Sequence, residues 1–179
     1  MRVRHRALFA ASAEAVFDAL TSPDLIVAKY RHFGHLDVRI VEHRQQFGVV
    51  IVHSRREVPT AVPDFALRYF RPMTVVEEHQ EWDPLQADGS RRGTWQVTAR
   101  GVPVTAGGVQ RLVPVDADVT EWLVEGEVVC PMPGEQTRLA DMVRADIERQ
   151  LAEGQRFIAE QLVHRSGVAR ADRSRSEPG

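Results

Sequence analysis

Polar and apolar residues alternate from the start of the chain, with Arg2, Arg4 and Arg6 on one side and Val3, His5, Ala7 and Phe9 on the other. A period of two predicts a strand over residues 2–10 with one wet face. The period then lengthens. Ser12 followed by Glu14 has the chemistry of a helix N-cap with an acid in the first turn, and Ala15, Val16, Ala19 and Leu20 complete a short amphipathic helix. Thr21-Ser22-Pro23-Asp24 stops it and opens a second helix, with Ser22 as cap and Pro23 at the first helical position, that ends near Gly34. From Leu36 the period returns to two, since Leu36, Val38 and Ile40 alternate with Asp37 and Arg39. Val49-Val50-Ile51-Val52 is apolar on both sides, so either face of that strand can be the buried one. Pro59, Pro63 and Pro72 mark the loop after it, with at most a short helix around Phe65–Phe70, and Met73–Trp82 is a further strand closed by Asp83-Pro84 and Asp88-Gly89. Three more strands are expected near 91–102, 109–115 and 119–130; Trp95, Val97 and Ala99 share a face of the first, and Trp122, Val124, Val128 and Cys130 share a face of the last.

After Pro131-Met132-Pro133-Gly134 the period becomes helical again. Leu139, Val143, Ile147, Leu151, Gly154, Ile158 and Leu162 recur every three or four residues, which predicts an amphipathic helix from about 135 to 164. Residues 165–179 carry no such stripe and are expected to form a disordered tail beyond a single domain of residues 1–164. The order is one strand, two short helices, six strands and one long helix. A meander of strands leaves an apolar face that must be covered, and a helix of about thirty residues, roughly 45 Å long, is the element able to cover it. A twisted sheet wrapped about one helix encloses space, and small-molecule sites favour such apolar concavities. The expected class is α+β, a seven-stranded curved antiparallel sheet gripping a long C-terminal helix.

That order, together with Phe9-Ala10-Ala11-Ser12-Ala13-Glu14-Ala15-Val16-Phe17 at the strand-to-helix opening and Val129-Cys130-Pro131-Met132-Pro133-Gly134 at the strand-to-helix close, resembles the START-like superfamily (SRPBCC, helix-grip) of polyketide cyclases and lipid-transfer proteins. More narrowly, the chain resembles a bacterial family of unknown function within that superfamily, over about residues 1–164. The resemblance implies a cavity for lipids, polyketides, hormones or quinones; some members are cyclases or oxygenase domains. These motifs are architectural, and no catalytic set carries over residue by residue.

Composition narrows the partners. With 27% charged residues, net charge −2 and pI near 6.4, the chain lacks the basic footprint of a nucleic-acid binder. Among 23 lysines and arginines, Lys29 is the single lysine, a bias that reads as genome base composition rather than function. One cysteine, Cys130, excludes an intrachain disulfide and a cysteine-built zinc site. No apolar run is long enough to cross a membrane, and the N-terminal apolar stretch is too short for a secretory core, so a cytoplasmic protein is expected.

The candidate site residues are the cavity-facing ones: His5, Trp95, Val97, Trp122, Val124, Met142, Ile147, Leu151, Gly154 and Ile158. Trp95 and Trp122 either line a pocket for a flat ligand or fill it. A buried His5 either orients a ligand or is a satisfied core histidine. Gly154 costs helix stability, which points either to a close approach of the sheet or to room left for a ligand. Glu77, His79 and Glu81 share a strand face and form either a metal or proton-transfer row or a solvated face. His32 and His35 are separated by the helix-breaking Gly34. Gly107-Gly108 has no phosphate-loop context and reads as a turn or strand bend. No metal or cofactor is expected. The walls suit a binder or carrier of a hydrophobic small molecule; the alternatives are a cyclase- or hydratase-like enzyme in the same cavity and a protein–protein interaction module.

Overall fold

The alternation at the N-terminus becomes an edge strand, β1 (Arg2–Phe9), which buries Val3, Ala7 and Phe9 and exposes Arg2, Arg4 and Arg6. The computed structural model describes all residues except 60, 61, 69, 132, 133, 135 and 176–179, and leaves the side chains of 136 and 166–175 undescribed. Met132 and Pro133 of the expected strand-to-helix close, and Glu135 at the expected start of the last helix, therefore lie outside the described residues.

Both short helices begin where the sequence places their caps. The Ser12 hydroxyl accepts from the Ala15 amide at 3.3 Å to open α1 (Ala13–Thr21), and the Ser22 hydroxyl accepts from the Leu25 amide at 3.4 Å to open α2 (Pro23–His32). The meander follows: β2 (Leu36–Gln46), β3 (Val49–Pro59), a 3-10 turn at Asp64–Ala66, β4 (Met73–Trp82), β5 (Arg91–Ala99), β6 (Thr105–Asp116) and β7 (Val119–Val129). All pairings are antiparallel and the strand order is β1-β7-β6-β5-β4-β3-β2. The last strand thus returns beside the first, and β1 and β2 are the two edges. The long helix α3 (Gln136–Arg175) packs against β1, β7, α1 and α2, burying Leu139, Gly154, Ile158 and Leu162 of the stripe. This is the expected START-like helix-grip arrangement.

Several boundaries differ from the sequence reading: the helix expected around Phe65–Phe70 is a 3-10 turn at Asp64–Ala66, and β5 ends at Ala99 rather than near 102. The backbone of α3 stays helical to Arg175, past His164; residues 176–179 of the expected tail lie outside the described residues. Arginine and alanine are good helix formers, and an established helix adds a hydrogen bond for each further residue, so loss of the apolar stripe alone does not end it. And β6 begins at Thr105, which puts Gly107-Gly108 inside a strand rather than in a turn.

Those glycines have a packing reason. Trp95, Gly108 and Gly126 are in register across β5, β6 and β7. A Cβ on Gly126 would lie 2.5 Å from the Trp95 ring, and one on Gly108 only 2.0 Å from the Glu125 carbonyl oxygen. The missing side chains let the indole of Trp95 lie along the sheet, its Nε1 donating to the Glu125 carbonyl at 3.3 Å. In α3, by contrast, a Cβ on Gly154 would meet only Lys29 Cδ at 3.5 Å, an ordinary contact. Opposite outcomes are expected from two alanine substitutions in urea unfolding. Gly108→Ala should lower stability by about 2 kcal/mol by overpacking, whereas Gly154→Ala should raise it by roughly 0.8–1 kcal/mol through helix propensity.

Candidate functional site

Curvature of the sheet around α3 leaves a cavity of about 440 Å³, inside the roughly 300–1,000 Å³ range of small-molecule sites. Its sheet wall on β5 and β7 carries Trp95, Val97, Trp122 and Val124; its helix wall carries Met142, Ile147, Leu151, Gly154 and Ile158. Nine of the ten sequence candidates therefore face one space. Trp95 and Trp122 line it rather than fill it, because Trp95 lies along the sheet and Trp122 is tied back by its Nε1, which donates to Gln110 Oε1 at 3.3 Å. His5 is the exception: it is not among the lining residues but sits against Trp122, edge to face at 5.6 Å between ring centroids. Burial lowers its imidazole below the ordinary range. Gly154 faces the cavity without a close approach by the sheet backbone, which favours the second of the two readings its position allows.

The opposite side of the cavity is polar, and the sequence reading missed it. The inward face of β3 continues from Val50 and Val52 to Ser54 and Arg56, leaving the Arg56 side chain only 4% exposed. The inward face of β4 carries Val76, Glu78 and Gln80. Arg56 Nη1 lies 3.1 Å from Glu78 Oε2 as an ion pair, and the Arg56 guanidinium stacks over the Tyr30 ring at 3.7 Å. The Tyr30 hydroxyl donates to Glu78 Oε2, and Gln80 Nε2 donates to Glu78 Oε1 at 2.7 Å. From Gln80 a chain of side-chain bonds crosses the sheet. Gln110 Nε2 donates to Gln80 Oε1 at 3.2 Å, Trp82 Nε1 donates to the same oxygen at 3.3 Å, and Trp122 donates to Gln110. Buried polar atoms need such partners, and a chain that satisfies each member orders the whole face.

Charge in this cluster follows from its surroundings. Burial alone would raise the Glu78 carboxyl, but Arg56, Lys29, Tyr30 and Gln80 outweigh it and hold it at about 2. Burial pushes the Tyr30 hydroxyl well above its ordinary range, so it stays a donor. Burial first, and Arg56 second, lower the His35 imidazole to about 4, so at neutral pH it is uncharged, stacked on Tyr30 at 5.5 Å between centroids. Lys29, whose stem reaches Gly154, has its ammonium 4.3 Å from the Tyr30 ring centroid; burial lowers its pKa and Glu78 opposes that shift.

Glu77, His79 and Glu81 fall on the other, convex face, out of the cavity; there Glu77 pairs with His53 at 3.5 Å. Among the described residues no group of three or more His, Cys, Asp or Glu side chains is arranged to hold a metal, and no helix is long and apolar enough to cross a membrane. His32 packs on Phe157 of α3 while His35 faces the cavity, so the two do not form a pair. The period of two puts Arg56 on the face of Val50 and Val52, and Gln80 and Glu78 on the face of Trp82, but it does not say which face of either strand is inner.

A family model described as Protein of unknown function (DUF2505) matches residues 4–162. No protein with a curated description matches the chain significantly in sequence. Among solved structures, the Zhui aromatase/cyclase from Streptomyces sp. R1128 is similar at 19% identity and TM-score 0.63, over 93% of this chain and 95% of that one. A START superfamily protein from Mycobacterium smegmatis is similar at 15% identity and TM-score 0.53, over 91% and 97%. The human StarD13 (DLC2) lipid transfer and protein localization domain is similar at 8% identity and TM-score 0.55, over 87% and 75%. At these identities the likeness establishes the START-like fold.

The Arg56–Glu78 pair should behave as a unit in urea unfolding. Arg56→Met leaves a buried carboxylate without its guanidinium and should cost about 3–5 kcal/mol. Adding Glu78→Gln should recover more than half of that loss; purely additive costs would show that the two side chains are not coupled.

Proposed function

The chain belongs to the DUF2505 family, and we propose that it binds and carries a hydrophobic small molecule in the cavity between its sheet and α3. The observation that carries this reading is the open space of about 440 Å³ beside Trp95, Trp122 and the helix stripe, into which Gly154 projects no side chain. A well-packed interior leaves few voids larger than a water molecule, so space of this size between otherwise interlocked walls suits a guest. The aromatase/cyclase and the lipid transfer domain named above have the same fold and support the reading only in its general form, a hydrophobic ligand. Candidate ligand classes are lipids, quinones and polyketide-like aromatics. The contacts of Glu78 favour binding over acid–base chemistry: one oxygen is held by Tyr30 and Arg56 and the other by Gln80, which leaves it little freedom to take a substrate proton.

A thermal-shift screen of lipids, sterols, quinones and polycyclic aromatics tests this. A ligand at a hundredfold excess over its dissociation constant should stabilise the fold by about 2.7 kcal/mol. Gly154→Leu should fold as well as wild type and give no shift, because the added side chain fills the space. A screen with no shift for the wild-type protein would favour the protein–protein module instead.

A further inference from the structure

The polar end of the cavity brings together the chain's single lysine, a buried arginine and one carboxylate: Lys29, Arg56 and Glu78. Both Glu78 oxygens already have partners, Tyr30 and Arg56 on one and Gln80 on the other. The cations are less well served. Arg56 is 3% exposed, yet among the described residues its Nε has no hydrogen-bond partner, and its Nη1 has the ion pair with Glu78 without hydrogen-bond geometry. His35, also buried and facing the cavity, has an unpartnered Nδ1. The Lys29 ammonium rests on the face of Tyr30, beside a guanidinium that disfavours its charge. Two further carboxylates line the cavity, but they belong to α3 and are already engaged there. Asp146 pairs with Arg149 and accepts from Gln150 Nε2 at 2.6 Å, and Glu153 pairs with Arg149 at 3.5 Å, all at an end where the Arg149 side chain is 60% exposed.

Buried donors without acceptors are costly, charged ones most of all. The inner cluster holds two basic side chains against one carboxylate, and Lys29 and Arg56 line the same space as the two indoles, although the Nε and Nη1 of Arg56 that lack hydrogen-bond partners are themselves covered. We propose that the ligand is an amphiphilic carboxylic acid whose carboxylate sits against Arg56 and Lys29 and whose apolar body lies along Trp95 and Trp122. This rests on the cavity reading above and adds the charge of the head group. A carboxylate accepts from a guanidinium with favourable geometry, and its negative charge restores the balance that Glu78 alone does not supply.

Three pyrene probes with one body and different heads separate the possibilities: pyrenebutanoate, pyrenebutanol and pyrenebutylamine, titrated by fluorescence at neutral pH. Wild type should bind the acid at least about tenfold more tightly than the alcohol, as one charge-assisted contact would give, and the amine most weakly. Lys29→Met, which leaves the Arg56–Glu78 pair in place, should reduce the preference for the acid over the alcohol. The double variant Arg56→Met/Glu78→Gln, which removes both buried charges together, should abolish the preference. Equal binding of acid and alcohol by wild type, or a preference that survives both variants, would overturn the head-group assignment while the cavity reading stands. No binding of any probe would overturn both.

Discussion

A charge buried on the concave face of a β-sheet has to be answered mainly from inside the protein, because its side chain is largely withdrawn from solvent. In this chain the answer is Arg56 against Glu78, and much of the cavity's arrangement follows from it. The pair joins β3 to β4, draws the Tyr30 hydroxyl down from α2, and gives Gln80 a fixed acceptor. Through Gln80 and Gln110 the same network reaches Trp122 on β7. Removing one charge would leave the other stranded, so the network holds two sheet neighbours and a helix in one arrangement.

The network also divides the cavity. On β3, β4 and α2 the wall is charged and hydrogen-bonded; on β5 and β7 it is aromatic and aliphatic, and α3 sets its apolar stripe beside Asp146, Arg149, Gln150 and Glu153. The division depends on the small residues as much as on the large ones. Gly108 and Gly126 let Trp95 lie along the sheet instead of projecting into the space, and Gly154 withholds a side chain from the helix wall. A uniformly apolar cavity would accept any greasy molecule of suitable size. One with a polar end can hold an amphiphile in a single orientation.

The elements and the apolar wall were legible in the sequence because each rests on a local period. Ser12 and Ser22 cap the helices they precede, the stripe from Leu139 to Leu162 faces the sheet, and Trp95 and Trp122 share the inner face. The polar wall was not legible, for two reasons. In β3 the run Val49–Val52 is apolar on both sides, so nothing local decides that Arg56 points inward. In β4 both faces carry charges, and the row Glu77, His79 and Glu81 looks more like a site than Glu78 and Gln80 do. Which face is inner depends on pairing with β3 and β5, which is a property of the sheet and not of the strand. His5 misled for the opposite reason: it is on the buried face, but of an edge strand, where it packs on Trp122 without lining the cavity. Lys29 did leave a trace, as the one lysine in an arginine-rich chain, but composition alone cannot say where it sits.

The central claim is that the space beside Trp95 and Trp122 admits a molecule. The indole N–H signals of a ¹⁵N-labelled sample test it directly, because the chain has three tryptophans and Trp82 is fully buried outside the lining set. On titration with pyrenebutanoate, the Trp95 and Trp122 signals should move most, through the ring current of the bound pyrene, and the Trp82 signal least. Saturable binding that leaves the Trp95 and Trp122 signals in place would put the molecule elsewhere and contradict the account.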